Sequence, residues 1–241
     1  MKTSVLCTGA TAATNNHAHL VGNIKVTKAD WISLALQWLV ADGIDYVKVL
    51  PLSEKLGVSR SSFYWYFSSR QDLLDHLLAH WRDTNTLAII ERARRPAPTI
   101  TRAVLNVFEC WADEQLFSPR LDFAVRAWSR RSSVVRQAIH SADEGRVNAI
   151  KAMYERYGYE SEESFIRARV MYYMQIGFYV TEVQERTEER IGHVAAYLKS
   201  FTGMEPNDTD MADFAAFVHE KMPQKSKVRT SKKATKETGL I

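Results

Sequence analysis

The sequence predicts an all-α protein, and three observations support this fold class. Apolar residues recur at helical spacing over most of residues 27–222, whereas no segment alternates apolar and polar residues as a half-buried strand would. Glycine, proline, serine and threonine stand where helices typically begin and end. Residues 49–70 read as a short helix, a glycine turn and a second helix, which is a helix-turn-helix pattern. We therefore expect a three-helix N-terminal domain followed by a larger helical bundle.

Chain length and cysteine content limit the class of protein. With 241 residues, of which 46% are hydrophobic, the chain can bury a core without disulfide or metal staples. Cys7 and Cys110 are its two cysteines, which favours a reduced compartment. The N-terminus lacks an apolar stretch of signal-peptide length, and other apolar runs fall short of the roughly 18 residues of a membrane span. These features predict a cytoplasmic protein with no membrane partner.

Both ends of the sequence are polar, and we expect both to be disordered. Residues 1–24 are small and polar. Residues 223–241 carry six Lys or Arg residues against Glu237 alone, a net charge of +5 in a chain whose total is +4. The rest of the chain is therefore close to neutral, and its DNA affinity cannot come from bulk charge. The basic tail either attracts phosphates non-specifically or is a solubilising extension, and the sequence leaves both readings open.

Local signals define the helix-turn-helix. An amphipathic first helix begins near Thr27 and ends before Gly43, and the second helix covers residues 49–56. Gly57 can adopt the positive φ that closes a helix, and Ser59 can accept the free N–H groups of the next helix. Two helices joined this tightly must cross steeply. The second helix can then enter a DNA major groove with its N-terminal residues.

The residues around this turn resemble one family closely. The stretch LGVSRSSFYWYFSSRQDLL is similar to the DNA-binding segment of the TetR family of transcriptional regulators. The residues that match the family pattern are Gly57, Val58, Ser59, Phe63, Tyr64, Tyr66, Phe67 and Arg70. The resemblance implies an N-terminal DNA-binding domain over residues 25–70 and a helical ligand-binding and dimerisation domain over residues 71–222. Its partners would be double-stranded operator DNA, a second copy of the chain and a small-molecule inducer.

Candidate DNA contacts follow from the recognition helix and from the resemblance. Arg60 can bind guanine O6 and N7 together through its guanidinium, and Ser61 and Ser62 are small enough for close approach. The resemblance implies phosphate contacts from the two tyrosines and from Arg70, while residues at helix starts can meet the DNA backbone. The full predicted set is Thr27, Lys28, Lys48, Ser59, Arg60, Ser61, Ser62, Tyr64, Tyr66 and Arg70. Phe63 and Phe67 are predicted to be core, and Trp65 receives no role.

Helical periodicity continues to the end of the apolar pattern. A capping box from Ser69 and Asp72 is expected to open a fourth helix that runs to the Arg94-Arg95-Pro96 break. The later helices are predicted over residues 99–115, 119–130, 133–157, 161–185, 188–201 and 209–222. His76 and His80 are four residues apart on the fourth helix, but a solvated helix face explains them. No metal site and no cofactor are predicted.

Aromatic residues of the bundle supply candidates for an inducer pocket. Large side chains with a few polar tips can either fill a helical core or line a cavity for a small apolar molecule. The candidates are Trp81, Phe108, Trp111, Phe123, Trp128, Tyr154, Tyr172, Tyr173 and Phe178. The helices over residues 161–185 and 188–201 are too apolar for one inward face each. They are predicted to pair with those of a second copy in a four-helix interface.

These patterns favour a ligand-responsive DNA-binding transcriptional regulator, acting as a repressor that a small molecule releases from a pseudo-palindromic operator. A transcriptional activator, a ligand-independent DNA-binding protein and a helical protein-interaction module remain as alternatives. No phosphate-binding glycine loop, nucleophile elbow or metalloprotease motif is present in the sequence. We therefore predict no catalytic residues and no enzymatic activity.

Overall fold

The computed structural model describes residues 26–183 and 185–221, and within them all regular secondary structure is helical. The all-α fold class is confirmed. The two predicted disordered tails, residues 1–24 and 223–241, lie outside the described residues. None of the helices in the described part is long and apolar enough to cross a bilayer.

Eleven α-helices occupy the described residues. Their bounds are α1 Lys28–Ala41, α2 Val49–Leu56, α3 Arg60–Phe63, α4 Arg70–Trp81, α5 Leu87–Arg94, α6 Ile100–Ala112, α7 Pro119–Ser129, α8 Ser133–Glu155, α9 Ser161–Val180, α10 Thr187–Thr202 and α11 Asp208–Lys221. A π-helical turn, Arg82–Thr86, joins α4 to α5. The predicted fourth helix is therefore one helical path that contains a local widening.

Side-chain caps explain why most helices begin where the sequence predicts. The hydroxyls of Thr99, Ser118 and Ser132 each accept a backbone N–H from the third residue of α6, α7 and α8. Ser69 caps α4 in the same way, with Asp72 N at 3.2 Å. The predicted capping box is only half present, because the Asp72 carboxylate accepts from Ser68 N at 2.8 Å instead of from Ser69.

Two helices end earlier than periodicity predicts. α6 ends at Ala112 because Asp113 leaves the helical conformation and its carboxylate accepts the Gln115 N–H at 2.9 Å. Such a local turn competes with helix continuation. α9 ends at Val180, and the Thr181 hydroxyl donates to the Gly177 carbonyl at 2.7 Å. The predicted end at residue 185 was therefore too late.

The buried side chains form two clusters, which do not divide at residue 70. The reader cluster combines α1–α4 with α7 and the first half of α8, and it includes Trp31, Phe63, Phe67, Trp81 and Trp128. The bundle cluster combines α5, α6 and α8–α11. The helix-turn-helix thus rests on α7 through a shared apolar core. The predicted domain bounds stay a prediction.

A buried polar network connects these two clusters. We call it the junction network, and it consists of Trp81, Thr86, Asp122, Arg126, Asp143, Arg146 and Tyr172. At its centre the fully buried Arg146 guanidinium donates to Asp122 at 3.1 Å, to the Tyr172 hydroxyl at 2.8 Å and to Thr86 Oγ1 at 2.9 Å. The π turn, α7 and α9 therefore all bind one side chain of α8.

The carboxylates of the junction network neutralise its buried arginines. Burial by itself would raise the pKa of Asp122, but the charges of Arg146 and Arg126 outweigh it, so this pKa lies below its ordinary value. Trp81 Nε1 donates to the same carboxylate at 2.9 Å. Arg126 also binds Asp143, with Nη2 at 2.7 Å from Oδ1. The network stays ionised because each buried charge faces an opposite charge.

Replacing the central arginine is expected to destabilise the fold strongly. Arg146→Met removes one partner of a buried ion pair and leaves Asp122 and Thr86 without it, which typically costs about 3–5 kcal/mol of unfolding free energy. The matched control is Arg136→Met, on the exposed side of the same helix, which should change stability by less than about 0.5 kcal/mol. Urea unfolding followed by circular dichroism measures both. Equal stability of the two variants would contradict a central role for Arg146.

Candidate nucleic-acid interface and ligand cleft

The turn between α2 and α3 has the geometry that the sequence predicts. Gly57 adopts φ 69° and ψ 28°, and the Val58 N–H donates to the Ser53 carbonyl at 3.0 Å. Behind the turn, Phe63 stacks on Phe67 with ring centroids 5.0 Å apart. Both rings are buried, which confirms them as core. α3 is therefore anchored by its inner aromatic face and presents its outer face to solvent.

The outer face of α3 carries the strongest candidates for DNA contact. Arg60, Ser61 and Tyr64 are exposed, and Ser62 is half-buried. Arg60 Nη2 and the Tyr64 hydroxyl are 3.5 Å apart, so the two side chains lie together one helical turn apart. We define the recognition face as Lys48, Ser59, Arg60, Ser61, Tyr64 and Trp65, all of which are exposed.

Trp65 is a member of this face that sequence reasoning left without a role. Its side chain is 85% exposed, the highest value among the large hydrophobic residues that the structure describes as exposed. A signal existed, because Phe63 and Phe67 are four residues apart and so share the inner face, which turns residue 65 outward. An exposed tryptophan at a recognition helix can contact base edges or the sugar-phosphate backbone.

Ser59 does not cap α3 as predicted. Its backbone is extended and no side-chain cap bond forms, because its hydroxyl pairs with the Ser61 hydroxyl at 2.8 Å. Both hydroxyls are exposed. They remain able to bind phosphate oxygens or base edges.

Two residues at the start of α1 have structural contacts of their own. The Thr27 hydroxyl accepts the Asp30 N–H at 3.3 Å, and the Thr27 backbone N–H donates to the Asp30 carboxylate at 2.7 Å, which forms a capping box. Lys28 Nζ lies 5.3 Å from the centroid of the Phe67 ring. Thr27 therefore caps α1, and a phosphate contact from its hydroxyl would compete with this capping role.

Tyr66 and Arg70 are half-buried and bond to backbone carbonyls within the domain, and their predicted phosphate contacts stay a prediction. The Tyr66 hydroxyl donates to the Val26 carbonyl at 2.7 Å. Arg70 donates through Nε to the Val47 carbonyl at 2.6 Å and through Nη2 to the Ile44 carbonyl at 2.9 Å. Burial lowers the pKa of the Arg70 guanidinium from its ordinary value. Because these donors satisfy backbone carbonyls, we assign both side chains to positioning the helix-turn-helix.

The predicted pocket aromatics do not form a single site. A narrow cleft with an empty volume of about 560 Å³, including its mouth, lies between α6, α9, α10 and α11. Three of the candidates line it: Phe108, Trp111 and Phe178. The other six do not. Periodicity identifies residues that share a helix face, but it does not identify the neighbour that this face meets.

The remaining candidates have four different surroundings. Trp81 and Trp128 are buried in the reader cluster, and Tyr172 belongs to the junction network. Tyr154 is fully buried in the bundle cluster, where burial raises the pKa of its hydroxyl. Phe123 and Tyr173 are 53% and 45% exposed. These corrections leave the cleft with residues that the candidate list lacked, among them Gln175 and Arg190.

In the described part of the chain, no group of three or more His, Cys, Asp or Glu side chains is arranged to hold a metal ion. His76 contacts Asp72, with Nδ1 at 3.2 Å from the carboxylate. The free thiol of Cys110 is buried, which raises its pKa to about 12 and makes it a poor nucleophile.

Comparison with known proteins agrees with this geometry. Residues 32–77 match the family model described as bacterial regulatory proteins of the tetR family. The helix-turn-helix region is therefore of the TetR type, and the chain is a transcriptional regulator with a helix-turn-helix DNA-binding domain. The matched region covers α2 and α3 and parts of α1 and α4, so it contains the whole recognition face.

Two solved structures share the fold of this chain. GusR of Salmonella enterica has a TM-score of 0.50 and 11% sequence identity, over 80% of this chain and 93% of that one. A protein described as a putative TetR-family transcriptional regulator from Mesorhizobium loti MAFF303099 has a TM-score of 0.50 and 14% identity, over 78% of this chain and 95% of that one. Both span the helical bundle as well as the reader. No protein of curated function matches the chain significantly.

Loss of the Arg60 guanidinium is expected to weaken specific DNA binding. In Arg60→Ala, one bidentate base contact worth about 1–3 kcal/mol would be lost, while the exposed position predicts normal folding. Arg94→Ala, an exposed arginine of α5, removes the same charge away from the recognition face. Gel-shift titration with operator and with random DNA measures the discrimination. Arg60 has no role in base reading if both variants discriminate as well as the parent.

Replacement of Arg70 should separate positioning from phosphate contact. Arg70→Met leaves the Ile44 and Val47 carbonyls unsatisfied, which should cost about 1–3 kcal/mol of stability and weaken binding to all DNA sequences. The slope of log affinity against log salt should not change. Lys48→Met, which removes an exposed charge of the recognition face, should instead lower that slope by about 1 without loss of stability.

Salt titrations and urea unfolding of the two variants measure these effects. A shallower slope in Arg70→Met together with unchanged stability would support the phosphate contact that the sequence predicts.

Proposed function

We propose that the protein is a homodimeric repressor that leaves a pseudo-palindromic operator when a small molecule binds. The observation that carries the proposal is the position of α9. This single helix lines the cleft through Gln175 and Phe178, enters the junction network through Tyr172 and carries an apolar stripe on its exposed side. Ligand binding, subunit pairing and attachment of the DNA-binding helices to the bundle would thus all involve α9.

The apolar stripe of α9 supports a dimer. It consists of Ile166, Val170, Tyr173, Gly177 and Val180, and its four side chains other than glycine are 45–53% exposed. The spacing of four, three, four and three residues places them on one face of the helix. Exposed apolar stripes of this kind mark surfaces for protein association. A second copy of the same stripe is the occupant that twofold symmetry provides.

α10 would contribute to this interface differently from the sequence prediction. Its larger apolar residues Val194, Leu198 and Phe201 are buried within the chain. Its exposed positions include Gly192, Ala196 and Ser200, whose small side chains allow a partner helix to approach closely. The proposed dimer would place two recognition helices about 34–36 Å apart, one turn of B-DNA.

The junction network connects the cleft to the DNA-binding helices. Gln175 and Tyr172 lie three residues apart on α9, so a ligand that moves the first also moves the second. The Tyr172 hydroxyl accepts from Arg146 at 2.8 Å, and Arg146 binds Asp122 together with Trp81 of α4. If the network has two arrangements that differ in the position of α4, a ligand that prefers one of them changes the spacing of the recognition helices.

The π turn between α4 and α5 is where this change would be absorbed. Asn85 donates to the Ser118 carbonyl at 2.8 Å and accepts the Ser118 N–H at 3.2 Å, while Thr86 binds Arg146. π turns inside helices occur frequently at functional sites. Trp81, a pocket candidate in the sequence analysis, fits this role as a part of the junction network.

An association experiment tests the dimer. Val170→Glu puts a charge into the stripe and should give a folded monomer with much weaker operator binding, because a monomer engages one half-site only. Val134→Glu is the matched control, since Val134 is 70% exposed on α8, outside the stripe. Light scattering with size-exclusion chromatography and gel shifts with the DNA that flanks the gene measure both properties. Dimeric Val170→Glu with parental operator affinity would contradict the proposed interface.

A reporter gene downstream of the same DNA fragment tests the direction of regulation. Repression predicts low expression in the presence of the parent protein and high expression with Arg60→Ala. High expression with the parent and low expression with the variant would identify an activator instead.

A further inference from the structure

The cleft between α6, α9, α10 and α11 has an aromatic wall with few polar atoms. Phe108 and Trp111 of α6 lie against each other with ring centroids 5.1 Å apart, and Phe108 also meets Phe214 of α11 edge to face. The cleft is narrow, because only about 50 Å³ of its space is wide enough for water-sized groups. The wall favours a narrow apolar ligand.

Gln175 is the buried polar residue of this lining. Its side chain is 5% exposed, and its amide nitrogen Nε2 has no hydrogen-bond partner among the described residues. A buried donor without a partner is costly, and such groups are usually satisfied in the functional state. An N–H donor in the lining calls for an acceptor atom on the ligand.

Arg190 adds a positive charge next to this donor. Its guanidinium lies 4.9 Å from the centroid of the Phe178 ring, which holds it against the aromatic wall. Burial raises the pKa of the neighbouring Tyr179 hydroxyl, and the charge of Arg190 partly opposes that rise. The lining also contains one carboxylate, that of Glu185.

We propose that this cleft binds a small apolar carboxylate. One carboxylate oxygen would accept from Gln175 Nε2, the charge would pair with Arg190, and the apolar body would lie against Phe108 and Trp111. A charge-assisted hydrogen bond is stronger than a neutral one, so an anion uses this donor pair better than an alcohol does. The assignment deepens the proposed ligand-responsive function and rests on it, but binding itself can be measured without DNA.

Three probes with one apolar body test the assignment on the full chain. 4-Phenylbutyrate, 4-phenylbutan-1-ol and 4-phenylbutylamine share a four-carbon phenylalkyl skeleton and end in an anionic carboxylate, a neutral hydroxyl and a cationic ammonium group. Calorimetric titration and thermal shift should show that the carboxylate binds at least about tenfold more tightly than the amine, with the alcohol between them. A ligand that binds only the folded state raises the melting temperature by mass action.

Variants separate the two donors. Arg190→Gln should weaken binding of the carboxylate by about tenfold or more and that of the alcohol much less. Gln175→Leu should weaken both, because each loses a hydrogen bond. The matched control is Arg186→Gln, which removes an exposed charge one turn earlier in the chain and should leave all three affinities within about twofold of the parent. Circular dichroism verifies that the variants fold.

Three results would overturn the assignment: tighter binding of the amine, carboxylate binding that is unchanged in Arg190→Gln, or no binding of any probe at millimolar concentration. Operator binding in the absence of ligand would be the same whichever of these results is obtained. Conversely, a carboxylate that binds as expected but does not release operator would contradict the proposed release mechanism and leave the cleft assignment standing.

Discussion

The buried guanidinium of Arg146 is the interaction on which the rest of the structure depends. A cation that is fully removed from water is tolerated only if opposite charge and hydrogen-bond acceptors surround it. Arg146 obtains them from the π turn through Thr86, from α7 through Asp122 and from α9 through Tyr172. Because each partner comes from a different element, satisfying one charge fixes the relative position of all of them. The position of the reader on the bundle follows from this requirement.

The DNA-binding helices α1–α4 are consequently not an independent module that is linked to the bundle by one helix. Its apolar core continues into α7, and Trp81 at the end of α4 bonds to the same Asp122 carboxylate that Arg146 binds. A displacement of α4 would therefore have to rearrange buried ionic contacts, which favours a few discrete arrangements over continuous bending. Such an arrangement suits a regulator that must be either competent or incompetent to engage two half-sites.

α9 concentrates the features that regulation requires. The side chains of one helix successively face the cleft, the junction network and solvent, so a small movement along α9 would act on ligand, reader and partner surface together. In the proposed mechanism, a ligand that accepts a hydrogen bond from the unpaired Gln175 amide would remove the cost of a buried unsatisfied donor. The coupling energy would then originate in hydrogen bonding and not in apolar contact, which the aromatic wall provides in either state.

The sequence by itself determined the helices, the turn and the outward position of Arg60, since these depend on neighbours within a few residues: hydroxyl caps, Gly57 and the spacing of Phe63 and Phe67. Contacts between residues far apart in the chain decided the remainder. Tyr66 bonds to Val26 and Arg70 to Ile44, 40 and 26 residues away, so two residues that match a DNA-binding pattern bond within the domain. The aromatic residues of the bundle were predicted as one pocket, but six of nine lie elsewhere. Helical periodicity specifies which side chains share a face, whereas only packing in three dimensions specifies what each face meets.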